Sequence, residues 1–306
     1  MLNLHQLRLL RELAHRGTIA AVADVLAYTP SAVSQQLSAL ERKTGVSLLE
    51  RTGRRVVLTP AGVNLVRHAE VILEHLEAAE AELMESKGVA GPLRVGIYPS
   101  AAGSLSGSIF TALRRSHPRL ELWVQEIDPS DASNALRGGQ LDLALLHSYE
   151  GLLPPVEPGV HSTPIFAERM LLAAPADPSA LGWTVHETDD PVRKWQDVPW
   201  ILPAPGTLCH TVVTRLCETN GFHVSSWHRV DDYHTTLGLV AAGAGVAIVP
   251  ELSAQVVPPG ATVTPLPLLR RSSVAFRVGG SAKPAISAFI EALREALPEG
   301  LATADV

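Results

Sequence analysis

Four uncharged side chains with hydrogen-bonding tips, Ser31, Ser34, Gln35 and Ser38, lie on one helical stretch opposite Val33, Leu37 and Leu40 at i, i+4 and i+7. Short hydroxyls and an amide can donate to and accept from base edges without charge repulsion or bulk. Further along, Arg51, Arg54 and Arg55 flank Gly53 between two β-prone runs, Leu48-Leu49-Glu50 and Val56-Val57-Leu58. Guanidinium groups at such a tip suit phosphates or a narrow minor groove. The two cysteines, Cys209 and Cys217, are too few for a disulfide framework and fit a reducing cytoplasm. No His/Cys cluster has zinc spacing, and there is no GxSxG elbow and no Walker motif. Gly243-Ala244-Gly245 follows a helical stretch and opens a strand, the reverse of a dinucleotide loop. Neither an enzyme nor a metal or cofactor site is expected.

These side chains need elements to hold them. Asn3 is a good N-cap for a helix in which Leu7, Leu10, Leu13 and Ala14 recur at helical spacing, and Gly17 supplies its stop. Thr18 can cap a second short helix over 19–26. Thr29-Pro30 opens a third, with a capping hydroxyl followed by proline at the first helical position, where the missing N–H costs nothing. Two short helices joined by a tight turn, the second with a polar outer face, make a helix-turn-helix; the arginine hairpin makes its wing. A long helix then runs from Thr59-Pro60 to a stop at Gly88. Along it Leu65, Ala69, Ile72, Leu76, Ala79 and Leu83 alternate spacings of four and three, a heptad seam that reads as a dimerisation element.

Hydrophobic residues make up 46% of the 306 and charged ones 18%, which allows sizeable cores, suggests two or three domains and excludes a disordered polyelectrolyte. No apolar run approaches the roughly 20 residues that span a bilayer. Arg8 and Arg11 interrupt the leucines where a secretory signal would need an apolar run, so a cytoplasmic chain is expected. The net charge of −6 conceals a division. Residues 1–59 hold eight Lys/Arg against four acids, whereas residues 60–88 hold six glutamates against Arg67 and Lys87. A basic head on an acidic body points to a polyanion partner for the head alone.

Several segments follow one another in order and without gaps over about 65 residues. They are Ala20-Ala21-Val22-Ala23-Asp24-Val25-Leu26, Tyr28-Thr29-Pro30-Ser31-Ala32-Val33-Ser34-Gln35-Gln36-Leu37, Leu40-Glu41, Gly45-Val46 with Leu48-Leu49-Glu50-Arg51, and Leu58-Thr59-Pro60-Ala61-Gly62. Together they resemble the LysR-type transcriptional regulators. The resemblance implies that Thr29, Pro30, Ser31, Ser34 and Gln35 approach DNA and that the wing arginines contact its backbone. Many members carry arginine where this chain has Gln35. An amide suits adenine and an arginine suits guanine, so the base preference stays open.

Beyond the long helix the pattern is βαβαβ, with strands over 93–98, 120–127 and 141–146 and helices over 108–116 and 132–138. It predicts a parallel sheet with ligand space at the carboxyl ends of its strands. A second α/β unit starts near Glu168 with Met170-Leu171-Leu172-Ala173-Ala174. It continues through Pro199-Trp200-Ile201-Leu202, a helix over 208–218 and the segment 241–250, and a last helix over 284–297 returns to the first unit. The resemblance implies an α/β effector domain, two-lobed and periplasmic-binding-protein-like (type 2), behind the winged helix-turn-helix and a linker helix. The expected boundaries are 1–59 for the DNA-binding domain, 60–88 for the linker and 91–306 for the effector domain. Lobe I takes about 91–162 and 269–306, and lobe II about 163–268.

In such a domain the effector sits between the lobes. Ser100 and Ala101 follow the first strand, where free N–H groups at a helix start can hold an anion, and Thr207 stands similarly after Pro205-Gly206. Matching to the family makes Ser100, Asp128 and Thr207 the expected liners, with Tyr98, His147, Tyr233 and His234 as second choices. Helix capping is the competing account of Ser100 and Thr207, and a satisfied structural histidine that of His147 and His234. Asp128 suits an amine or hydroxyl better than the anions common in this family, so an amino acid or other amine-bearing molecule is the expected effector.

Some LysR-type proteins sense peroxide through two cysteines in the second lobe. Cys209, near a helix start where thiol pKa values fall, fits that alternative. A continuous helix would hold its sulfur about 12 Å from that of Cys217 and would have to melt for a bridge to form. A solute-binding protein without DNA function is the other alternative, and it leaves the basic head unexplained. The expectation is a ligand-responsive regulator of double-stranded promoter DNA, without membrane contact. It would be a homodimer through the long helix and, by family likeness, a homotetramer.

Overall fold

The computed structural model describes residues 2–303 except 27, 53–54, 86–87, 151–158, 225, 227 and 281–282; for 51–52, 55, 81, 84–85 and 302–303 it describes the backbone only. The head opens with helices α1 (Leu4–Arg16), α2 (Ile19–Leu26) and α3 (Pro30–Thr44). The Asn3 side chain accepts from the His5 N–H and Thr29 Oγ1 from that of Ala32, so both caps form where the sequence places them. Leu9, Leu10, Leu13, Val22, Val33, Leu37 and Leu40 pack into one core, which fixes α3 with its polar side outward. Strands β1 (Leu49–Thr52) and β2 (Arg55–Leu58) pair antiparallel as the wing.

The long helix α4 runs over Pro60–Glu85. At its start a Cβ on Gly62 would lie 2.2 Å from the Leu48 carbonyl oxygen, so only glycine lets the helix pass this close to the entry of the wing. One face of α4 buries Val66, Ala69, Leu73 and Glu77 against the rest of the chain. Of the heptad seam, Ala69 therefore turns into the chain's own interior, Leu65 and Leu76 are half-buried, and Ile72, Ala79 and Leu83 are exposed.

The body continues with β3 (Gly91–Ile97), α5 (Pro99–Ser116), β4 (Leu120–Glu126), α6 (Pro129–Gly138) and β5 (Leu143–Tyr149). Strand β3 pairs parallel with β4 and β5. Then come the long strand β6 (Val160–Pro175), β7 (Ile201–Leu202), α7 (Leu208–Thr219), β8 (His228–Arg229) and α8 (Tyr233–Ala241). The chain finishes with β9 (Ala247–Pro250), a second long strand β10 (Ala261–Arg277), α9 (Pro284–Ala296) and β11 (Ala302–Thr303).

The large sheet has the order β11-β6-β10-β5-β3-β4, with β9 on β6, and it is mixed rather than purely parallel. The long strands β6 and β10 pair antiparallel, and their register breaks between Pro265 and Leu269. One end of this ribbon joins a core with Leu93, Ile97, Leu105 and Phe289, and the other joins one with Trp200, Met170, Val212 and Cys217. The molecule is therefore two-lobed, with the cleft beside the ribbon. Helix α9 packs on α5.

Two helices start earlier than the sequence suggested. Helix α5 begins at Pro99 rather than 108, and α6 at Pro129 rather than 132, each with proline in its first turn.

Candidate functional site

Two surfaces carry the residues singled out by the sequence. On the head, Thr29, Pro30, Ser31 and Gln35 are exposed at the cap and in the first two turns of α3, and Ser34 and Ser38 of the same helix are half-buried. The Thr29 hydroxyl is occupied in capping and in a 3.0 Å bond with Ser31 Oγ, which orders the first turn. Gln35 is the outward amide. Arg51 and Arg55 lie on β1 and β2, while Arg54 lies outside the described residues.

The second surface is a cleft of about 490 Å³ where α5, α6 and α7 begin. Tyr98, Ser100, Asp128, His147, Thr207 and Tyr233 line it. Two expected residues do not reach it. Ala101 faces the lobe I core with no exposed surface, and its N–H is bonded to the Tyr98 carbonyl at 3.0 Å, because α5 has already begun there. His234 sits in the first turn of α8 with its side chain in solvent, one position past the inward Tyr233. The capping account fits Thr207, whose Oγ1 accepts from the His210 N–H and donates to the Ala204 carbonyl. It fits Asp128 too, which accepts from the Ser130 N–H at 2.9 Å.

Sequence reasoning missed the centre of the cleft wall. Arg270 of β10 is 1% exposed and donates through Nε and Nη2 to Glu168 Oε1, at 3.0 and 2.7 Å. Its guanidinium lies 5.0 Å from the Tyr98 ring centre, and Tyr98 OH meets Ser272 Oγ at 2.7 Å. Burial pushes the Tyr98 hydroxyl up to about 12, so it stays protonated. An arginine in an apolar β-run was the visible signal, but its acidic partner lies 102 positions away.

His147 packs edge-on against Tyr98 and Tyr149. Burial, reinforced by Arg270, pulls it down to about 3, so the ring is neutral. Its Nδ1 is buried without a hydrogen-bond partner among the described residues, and its Nε2 lies 4.0 Å from Cys209 Sγ. An adjoining cavity of about 570 Å³, which shares Asp128 and His147 with the cleft, is lined also by Ser133, Leu146, Leu208 and Ser273. Cys209, half-buried in the first turn of α7, also has Tyr149 OH at 3.1 Å. Cys217 is fully buried two turns later on the same unbroken helix, and burial raises its thiol to about 12. Four acidic residues, Glu126, Asp128, Asp131 and Asp231, line the cleft, and the carboxylates of Asp128 and Asp231 accept from the Ser130 and Ala204 N–H groups. No helix among the described residues is long and apolar enough to cross a membrane.

Two family models match the chain. The family described as "Bacterial regulatory helix-turn-helix protein, lysR family" matches residues 4–63, and "LysR substrate binding domain" matches residues 86–298. A probable hydrogen peroxide-inducible genes activator of Streptomyces viridosporus is 30% identical over 305 residues, 96% of this chain and 94% of that one. The transcriptional dual regulator GltC of Bacillus subtilis is 28% identical over 82% of this chain and 81% of its own. Among solved structures, a hydrogen-peroxide-bound OxyR mutant of Corynebacterium glutamicum has a TM-score of 0.57 at 26% identity, with 96% of this chain and 92% of that chain covered. The chain belongs to the LysR family of helix-turn-helix transcriptional regulators.

Proposed function

We propose that this regulator reads promoter DNA through α3 and the wing and responds to an amine-bearing small molecule, an amino acid or a related amine, held in the cleft. The head would comprise 1–59, the linker 60–88 and the effector domain 91–306. Helices α4 of two copies would pair through the exposed part of the seam, Ile72, Ala79 and Leu83, and present two α3 helices to successive major grooves about 34 Å apart. By family likeness the assembly is a homotetramer working in the cytoplasm.

The observation that carries the ligand class is the charge of the cleft. Glu126, Asp128, Asp131 and Asp231 are among its lining residues, whereas the positive charge of Arg270 is already matched by Glu168. A cation gains there and a simple anion does not. The first turns of α5 and α7 could receive the carboxylate of an amino acid. Thermal-shift screening of amino acids and amines against their amine-free analogues tests this, because a ligand that binds only the folded state raises the melting temperature. The amines should stabilise the wild type and lose most of that effect on Asp131→Asn. Stabilisation by the amine-free acids alone would refute the assignment.

A second reading has support from Cys209, which lines the cleft beside His147 and Tyr149, and from relatives named as peroxide-inducible activators. On that reading Cys209 and Cys217 are the sensing thiols, and α7 must unwind to join them. Mass spectrometry after peroxide treatment decides it: a Cys209–Cys217 disulfide supports the two-cysteine sensor, and its absence at full oxidation of Cys209 excludes that bridge.

A further inference from the structure

Helix α6 reaches from the cleft to the DNA-binding head. It is ten residues long, about 15 Å at 1.5 Å per residue. Its entry and first turn, Asp128 to Asp131, form part of the cleft wall. Its last turn abuts the head. There the buried Arg137 places Nε 3.9 Å from Oε2 of Glu12 on α1, a fully buried carboxylate that also accepts from Arg11 and Arg16. Gly138 lies so close to α2 that a Cβ would sit 3.1 Å from the Val25 carbonyl oxygen, and Gln140 Nε2 donates to that same oxygen at 3.2 Å. Arg277 Nη1 donates to the Leu136 and Leu141 carbonyls at 2.7 Å while its Nε donates to Glu77 of α4 at 3.0 Å. The carboxyl end of α6 is thus tied to all three helices that carry the recognition helix or lead from it.

We infer that α6 couples the cleft to the head of the same chain, with Arg137 and Gln140 as the positioning residues. This inference deepens the regulator reading and rests on it. Ala132, Ala135 and Leu136 are buried along the helix, so it moves as a packed unit rather than bending at one end. A molecule lodged against its first turn that favours one position of the helix alters the Arg137–Glu12 and Gln140–Val25 contacts. Between buried charges, energy changes steeply with distance. Linkage then requires that cleft occupancy and DNA affinity change each other by the same factor.

Cys209 lines the same cleft as Asp128 to Asp131, so a covalent adduct on its sulfur that crowds the first turn of α6 can stand in for the effector. The full-length protein is treated with N-ethylmaleimide, and single modification at Cys209 is verified by mass spectrometry. DNA from upstream of its own coding sequence is titrated by fluorescence anisotropy before and after treatment. The adduct should shift Kd about fivefold or more in the wild type, and the shift should vanish in Arg137→Gln. Gln140→Ala, which removes one exposed amide and cannot unfold the domain, should at least halve the shift. Equal shifts in wild type and both variants, or no shift in the wild type, would overturn the coupling. A protein that binds this DNA in neither form fails as a regulator of that promoter, and the coupling falls with that reading. Binding without a transmitted shift overturns the coupling alone.

Discussion

Arg270 and Glu168 are register partners on β10 and β6, and their side chains meet at 2.7 Å with 1% and 0% of their surface exposed. Removing one member leaves the other as an uncompensated buried charge. Glu168→Gln should therefore cost about 3–5 kcal/mol of stability, whereas the double change Glu168→Leu with Arg270→Met should cost far less. Urea unfolding of the three proteins measures this. A Glu168→Gln midpoint equal to that of the wild type would show that the pair does not hold the two lobes' shared ribbon.

His147 gives the cleft a pH signature. Its folded value of about 3 lies below the ordinary 6.5, so between those values the unfolded chain takes up a proton that the folded chain refuses. This contribution is constant above pH 6.5 and makes stability fall as pH drops below it, by at most about 1.4 kcal/mol per unit. His147→Leu should lack that component. The wild-type advantage over the variant should shrink between about pH 7 and about pH 5. A difference that does not change with pH would contradict the burial argument.

Gly62 ties the wing to α4. Alanine there would place its Cβ 2.2 Å from the Leu48 carbonyl oxygen, which backbone must move to relieve. Gly62→Ala should lower stability by about 1–3 kcal/mol, read as a fall in melting temperature, and weaken DNA binding through a displaced wing. An unchanged melting temperature would mean that the contact is slack.

The head was legible in the sequence because its determinants are local. Asn3, Gly17, Thr29 with Pro30, and Gly45 end or begin helices within four residues of themselves. The start of α5 was not legible, since Ser100, Gly103, Ser104, Ser106 and Gly107 are weak helix formers, and only packing of Ala101, Leu105 and Ile109 on the lobe I core makes them helical. The length of β6 and β10 was not legible because Pro164, Pro265 and Pro267 cannot donate to a ladder, and the strands run through them only at or beside register shifts. The same non-locality concealed Arg270 and Glu168: each is an ordinary charged residue until strand pairing brings them together. The seam on α4 was visible, but the sequence did not show that α4's neighbouring face is filled by its own chain, which turns Ala69 inward.

A salt-dependent anisotropy titration compares wild type, Gln35→Ala and Arg54→Ala on DNA from upstream of the gene and on a scrambled duplex. The wild type should prefer the upstream DNA and weaken as salt rises. Gln35→Ala should lose about 1–3 kcal/mol of that preference, whereas Arg54→Ala should weaken both duplexes alike and reduce the salt slope by about 1. Contradiction would come from wild-type protein that binds neither duplex at low salt, or from Gln35→Ala that keeps the wild-type preference unchanged.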